Sequence, residues 1–139
     1  MRHFILATHG HFAAGIRESL ELVFGAQEGV QAVCAFVDGA NDVHALVRDA
    51  LDREPADVDI VVCTDIFGGS VNNEFLNALP AHPRVHLIAG MNLPMLIALF
   101  LSPEPDTAAL IRTVLASDDI RPRYCNDELS AAADEDEEF

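Results

Sequence analysis

Two short segments combine ionisable residues and glycines in a way that could do chemistry. The first is Ile5-Leu6-Ala7-Thr8-His9-Gly10, and the second runs from Ile60 through Cys63-Thr64-Asp65 into Ile66-Phe67-Gly68-Gly69-Ser70. Each is an apolar run that stops at an ionisable residue just before a helix-like stretch. A neutral imidazole has one protonated nitrogen and one with a free lone pair. A carboxylate that accepts from the protonated nitrogen fixes the tautomer and leaves the other nitrogen as nucleophile. Asp65 suits that role for His9, and its charge would also stabilise a cationic ring after attack. Gly68 and Gly69 permit close backbone approach, and free N–H groups at a helix start favour an anion such as phosphate. The Ser70 hydroxyl can cap that helix or donate to a phosphoryl oxygen. The set describes phosphoryl binding and transfer through histidine.

These parts meet only if the chain folds so that both strand ends lie side by side. Helix-like and strand-like segments alternate along the sequence. Strands are expected at about 3–8, 33–37, 58–64 and 85–89. Helices are expected at about 12–24, after Asn41 as cap, after Ser70, at about 93–101 and at 107–116. Such alternation implies an α/β domain with a mostly parallel open sheet and helices on both faces. With the common strand order 2-1-3-4 the chain reverses direction between the first and third strands, where ligands bind in open sheets. That order brings His9 and Asp65 together. Ile120 to Tyr124 can form a short edge strand, because its proline is tolerated only at an edge or bulge.

Composition narrows the function classes. The 139 residues suit one domain, and half of them are apolar. A formal charge of −15 argues against nucleic acid or an anionic membrane as partner. Part of that charge is the run Asp134-Glu135-Asp136-Glu137-Glu138, read as a solvated, mobile tail over 126–139 following a domain of residues 1–125. Leu87 to Leu101 falls short of the roughly 20 apolar residues of a membrane span, and Gly90, Asn92 and Pro94 interrupt it. A strand, a turn and a helix capped by Asn92 explain it better. Cys34, Cys63 and Cys125 form no zinc or CxxC pattern. With no signal-peptide pattern, the expectation is a reduced, cytoplasmic protein.

Taken singly, each motif reads more simply as structure: a strand-end histidine, and a turn with a helix cap. Their placement at neighbouring strand ends is what favours a site. A His9-x-His11 metal pair, and with it a metal-dependent hydrolase, is a further reading, but no carboxylate or cysteine cluster supplies the missing ligands. No metal is therefore expected, and His11 is placed at the pocket rim. His3, His44, His82 and His86 are scattered and read as structural or surface residues.

Three segments in order, Ala7-Thr8-His9-Gly10, Asp65-Ile66-Phe67-Gly68-Gly69-Ser70 and Ile88-Ala89-Gly90-Met91-Asn92-Leu93-Pro94-Met95-Leu96, resemble the enzyme IIA component of the mannose (fructose/sorbose) family of the bacterial phosphoenolpyruvate-dependent sugar phosphotransferase system. The resemblance covers about residues 1–125. It implies that His9 accepts a phosphoryl group from the phosphocarrier HPr and passes it to an enzyme IIB protein. Asp65 would orient His9, Gly68, Gly69 and Ser70 would hold the phosphoryl oxygens, and His11, Phe67 and Asn92 would shape the rim. It also implies a homodimer that exchanges a C-terminal strand, for which Ile120 to Tyr124 is the candidate, and no bound cofactor. The chain departs from the family where tryptophan is frequent at the place of Phe67, and where a proline or small residue commonly follows the serine. Two roles stay open: a relay feeding sugar uptake and phosphorylation, and a regulatory phosphocarrier without a transporter whose phosphorylation state controls a target protein.

Overall fold

The computed structural model describes residues 1–130. Its sheet has four parallel strands in the order β2-β1-β3-β4. The strands are β1 Arg2–His9, β2 Val30–Ala35, β3 Asp59–Thr64 and β4 Val85–Ala89. Helix α1 (Phe12–Phe24) follows β1, α2 (Val43–Asp52) follows β2, α3 (Ser70–Ala78) follows β3, and α4 (Leu93–Leu101) follows β4. Helix α5 (Thr107–Ala116) and a short 3-10 turn, Asp118–Ile120, come last.

The central strands are apolar along their length because both faces are covered. Side chains alternate across the sheet, so Phe4 and Leu6 of β1 enter one core with Ala13, Ile16, Leu20, Leu96, Leu99 and Leu110. Ile5 and Ala7 enter the other, with Val47, Leu51, Val71 and Phe75. Helices α1, α4 and α5 thus lie on one face and α2 and α3 on the other. The expected strand order and layering are those observed.

The ends of the elements differ from the expectation in ways that matter. Strand β2 starts at Val30 and stops at Ala35, two residues earlier than expected. Phe36 turns into the left-handed region at φ 63, its amide donates to the Ala40 carbonyl at 2.8 Å, and Asp38 and Gly39 also have positive φ. The strand therefore ends before Phe36. Asp42 rather than Asn41 caps α2, accepting from the Ala45 amide at 3.1 Å. His11 stands at the N-cap of α1 but its side chain makes no capping bond. The buried Thr8 hydroxyl does that work from inside the sheet, accepting from the Ala13 amide at 2.8 Å.

Among the described residues, Ile120–Tyr124 does not form the expected edge strand. Ile120 closes the 3-10 turn, residues 121–124 are irregular and residues 125–130 are helical. Pro122 offers no amide for a ladder, and the flanking Arg121 and Arg123 fold back onto Asp118 and Asp119 at 3.0 and 3.4 Å. The acidic run 134–138, with the rest of 131–139, lies outside the described residues.

At the opposite end of the sheet from the strand termini, Asp59 collects the Thr107 hydroxyl at 2.7 Å and Arg84 Nε at 3.1 Å. Arg2 Nε donates to the same Thr107 oxygen at 3.1 Å. This network ties α5 to β1 and β3, leaving the carboxyl ends of the strands free for the site.

Candidate functional site

The register of β1 on β3 ends with Ala7 opposite Thr64. One step further the two chains separate, and the Asp65 side chain takes over the pairing. Its Oδ2 accepts from the His9 main-chain amide at 2.9 Å and lies 3.0 Å from His9 Nδ1. The same carboxylate thus holds both the backbone and the ring of His9. Asp65 is mostly buried, while the His9 ring is more than a third exposed.

Burial alone would raise the Asp65 pKa, but hydrogen bonds from the His9 amide and ring, and from its own amide, outweigh it and hold the carboxyl below the usual carboxylate range. Asp65 is then ionised at neutral pH and can only accept. The ring nitrogen facing it must carry the proton, which leaves Nε2 with the free lone pair.

Gly69 brings the second half of the site to the ring. It stands at the N-cap of α3 with ordinary negative φ, so its backbone does not demand glycine. The space there is tight: a Cβ would lie 3.1 Å from His9 Cε1, so the ring would have to give by a few tenths of an ångström. Next to it, Gly68 does need its φ of +81, and Asn73 Nδ2 donates to its carbonyl at 3.2 Å. The first helical bond of α3 runs from the Asn73 amide to Gly69 O at 2.9 Å. The amides of Ser70, Val71 and Asn72 precede it and point out of the helix start, where the helix dipole favours an anion. Ser70 is the first residue of α3 and makes no capping bond, so the capping role allowed for its hydroxyl is not taken. That hydroxyl is exposed.

Of the residues expected at the rim, His11 and Phe67 are exposed, Phe67 at 83 %. Asn92 sits at the carboxyl end of β4, but its side chain is committed. Oδ1 caps α4 by accepting from the Met95 amide at 2.8 Å, and Nδ2 donates to the Ile120 carbonyl at 2.7 Å. These bonds tie the loop after β4 to α4 and to the Ile120 turn, and they use one of the two Nδ2 protons. Burial pushes the Cys63 thiol up to about 12, which removes it as a nucleophile. Among the described residues no group of three or more His, Cys, Asp or Glu side chains is placed to hold a metal ion, His9 and His11 included.

Sequence reasoning missed Phe36. Its ring stacks on the His9 imidazole, with centroids 5.6 Å apart and planes inclined by 17°. A left-handed backbone costs a non-glycine residue about 1–2 kcal/mol, and Phe36 is 47 % exposed, so core burial does not offset it. The Asp38-Gly39 pair just beyond was the available signal for a turn. Reading the strand through Val37 placed Phe36 inside it.

Residues 3–115 match the family model EIIA-man, described as PTS system fructose IIA component. The chain is 31 % identical over 100 residues to the PTS system sorbose-specific EIIA component of Klebsiella pneumoniae, covering 71 % of this chain and 73 % of that protein. It is 30 % identical over 94 residues to the PTS system fructose-specific EIIA component of Bacillus subtilis (strain 168), covering 67 % of this chain but only 64 % of that protein's length. Among solved structures, one from Klebsiella pneumoniae subsp. pneumoniae MGH 78578, assigned as a permease of the phosphoenolpyruvate-dependent sugar phosphotransferase system, superposes with a TM-score of 0.85 at 41 % identity, covering 92 % of this chain and 93 % of that one. The mannose/sorbose-specific IIA subunit of Enterococcus faecalis superposes with a TM-score of 0.72 at 25 % identity, over 82 % and 86 % of the two chains.

Proposed function

The chain belongs to the EIIA-man family of phosphotransferase-system IIA components, and on that premise we propose that His9 is the residue through which it relays a phosphoryl group, accepting from HPr and donating to an enzyme IIB protein. The observation that carries this reading is the single Asp65 oxygen that holds both the amide and Nδ1 of His9, beside the open start of α3.

The lone pair of Nε2 attacks phosphorus, forming a P–N bond. The P–N bond to the donor's histidine breaks, and its electron pair leaves with the donor nitrogen. The proton on Nδ1 stays in place, so the His9 ring becomes a phosphorylated imidazolium, and the Asp65 carboxylate balances its charge. The amides of Ser70, Val71 and Asn72 and the Ser70 hydroxyl supply donors for the phosphoryl oxygens, which carry the negative charge throughout. Transfer to the acceptor repeats the step in reverse. A side chain carries the group, so the chemistry itself calls for no cofactor.

A cytoplasmic protein acting on such a relay fits the described residues, none of whose helices is long and apolar enough to cross a membrane. Dimerisation by strand exchange is part of the same reading. Among the described residues strand β4 is paired on one side only, which leaves an edge that a strand from a second copy could join.

The test is intact mass after incubation with phosphoenolpyruvate, enzyme I and HPr. One added phosphoryl group on the wild type, labile in acid and absent from His9→Ala, is the expected result. No addition while HPr itself is phosphorylated would sink the proposal. Subsequent transfer to an enzyme IIB protein separates a transport relay from a phosphocarrier that only regulates.

A further inference from the structure

Phe36 holds a conformation that its residue type disfavours, and one contact stands out as its consequence. Strand β2 ends where Ala35 pairs with His9. The chain then turns at once, with Phe36 at φ 63 and its amide bonded to Ala40 O at 2.8 Å. Phe36 belongs to neither hydrophobic core and is half exposed. Its ring instead lies nearly parallel to the His9 imidazole, 5.6 Å away between centroids. Backbone strain that persists without a packing reason marks functional sites.

We propose that Phe36 is a positioning residue for phosphoryl transfer: its stacked face confines the His9 ring and favours the imidazolium that exists while the phosphoryl group is carried. This rests on the relay reading for His9. The hydrogen bond from Nδ1 to Asp65 fixes one atom of the ring and leaves it able to tilt about that bond. A flat neighbour removes the tilt and keeps Nε2 aimed beside the start of α3, where Gly69 already approaches Cε1. The ring becomes cationic because Nε2 gains phosphorus while Nδ1 keeps its proton. An aromatic face within about 6 Å attracts a cation more than a neutral ring. The contact is therefore stronger once transfer has begun than before it, and only such differential stabilisation speeds a step.

Three variants separate this role from packing. Phe36→Gly adopts a left-handed backbone without strain, so it removes the ring and should fold at least as stably. Phe36→Leu keeps apolar bulk without the π face, and Phe36→Tyr keeps the face. With phosphorylated HPr as donor, rapid-quench kinetics should show kcat falling roughly tenfold or more in the glycine and leucine variants. KM should change little, and tyrosine should retain most of the rate. Wild-type rates in Phe36→Gly or Phe36→Leu overturn the proposal. A rise in KM with kcat unchanged also overturns it, by making Phe36 a docking contact. Should the wild type accept no phosphoryl group, the relay reading fails by itself, and proton spectra of the His9 ring then decide the stacking. Shifts displaced by the Phe36 ring current in the wild type, and lost in Phe36→Gly, support an ordered ring. Identical spectra exclude it.

Discussion

One oxygen of Asp65, Oδ2, meets His9 twice, 2.9 Å from the main-chain nitrogen and 3.0 Å from ring Nδ1, while Oδ1 is buried without a hydrogen-bond partner among the described residues. The interaction at Oδ2 closes the end of the β1–β3 pairing and sets the tautomer of the ring together. Structure and chemistry therefore depend on the same atom, and only its charge separates them.

Asp65→Asn separates those roles. A carboxamide oxygen can still accept from the His9 amide, so the fold should survive. The imidazolium loses its counter-charge and the tautomer its strong acceptor, and transfer should slow by about 10²-fold or more. Rapid-quench transfer from phosphorylated HPr checks this, and an unimpaired rate removes the orienting role of Asp65.

Gly69→Ala tests the close approach. The backbone there accepts any residue, but the new methyl would lie 3.1 Å from His9 Cε1. The ring would have to give by a few tenths of an ångström, away from α3. The expected outcome is a melting temperature near that of the wild type with a transfer rate at least about tenfold lower. A large loss of stability with normal transfer would show that the backbone, not the ring, gives way.

Acid should weaken the fold through Asp59 and Asp65. The hydrogen bond from Thr107 holds the Asp59 carboxyl below its ordinary range, against the cost of burial and with help from Arg84. Burial opposes the shift at Asp65, and the hydrogen bonds from His9 exceed it. A carboxylate whose folded pKa lies below its unfolded value contributes stability in full above the unfolded value of about 4. The contribution is lost as pH falls through the folded value. In urea unfolding, the gap between wild type and Asp59→Asn should be widest near neutral pH and narrow as pH falls below the unfolded value of about 4. A gap independent of pH would count against it.

Asn92→Ala should cost stability rather than chemistry. It removes the α4 cap and the bond to the Ile120 carbonyl, together about 1–3 kcal/mol. Denaturant unfolding measures the loss. A fall in transfer rate greater than the fall in folded fraction would return Asn92 to the site.

Much of the fold was legible because the signals were local. Unbroken apolar runs marked β1 and β3 as buried on both faces, and their spacing from Gly10 and Ser70 marked the helices that follow. Asn92 and Pro94 announced the start of α4 by cap chemistry alone. What the sequence did not show lay in side-chain and turn geometry. Thr8 caps α1 across five residues from within the sheet, which no local cap rule anticipates. Strand β2 could not be ended correctly because Phe36, apolar and bulky, reads as strand until its backbone is seen to turn.

The sequence by itself determined the alternation of strands and helices, the residue types at two strand ends, and hence that an imidazole, a carboxylate and a glycine-rich helix start were available. Period, capping and composition act over a few residues and survive without a fold. Only the tertiary structure decided that one carboxylate oxygen serves both the amide and the ring of His9, that Gly69 approaches the ring closely, and that Phe36 lies against the imidazole. Those relations join residues 27 to 60 positions apart, and hydrogen bonds and ring stacking are set by separations of a few ångströms, which parallel register and turn geometry fix and residue order does not.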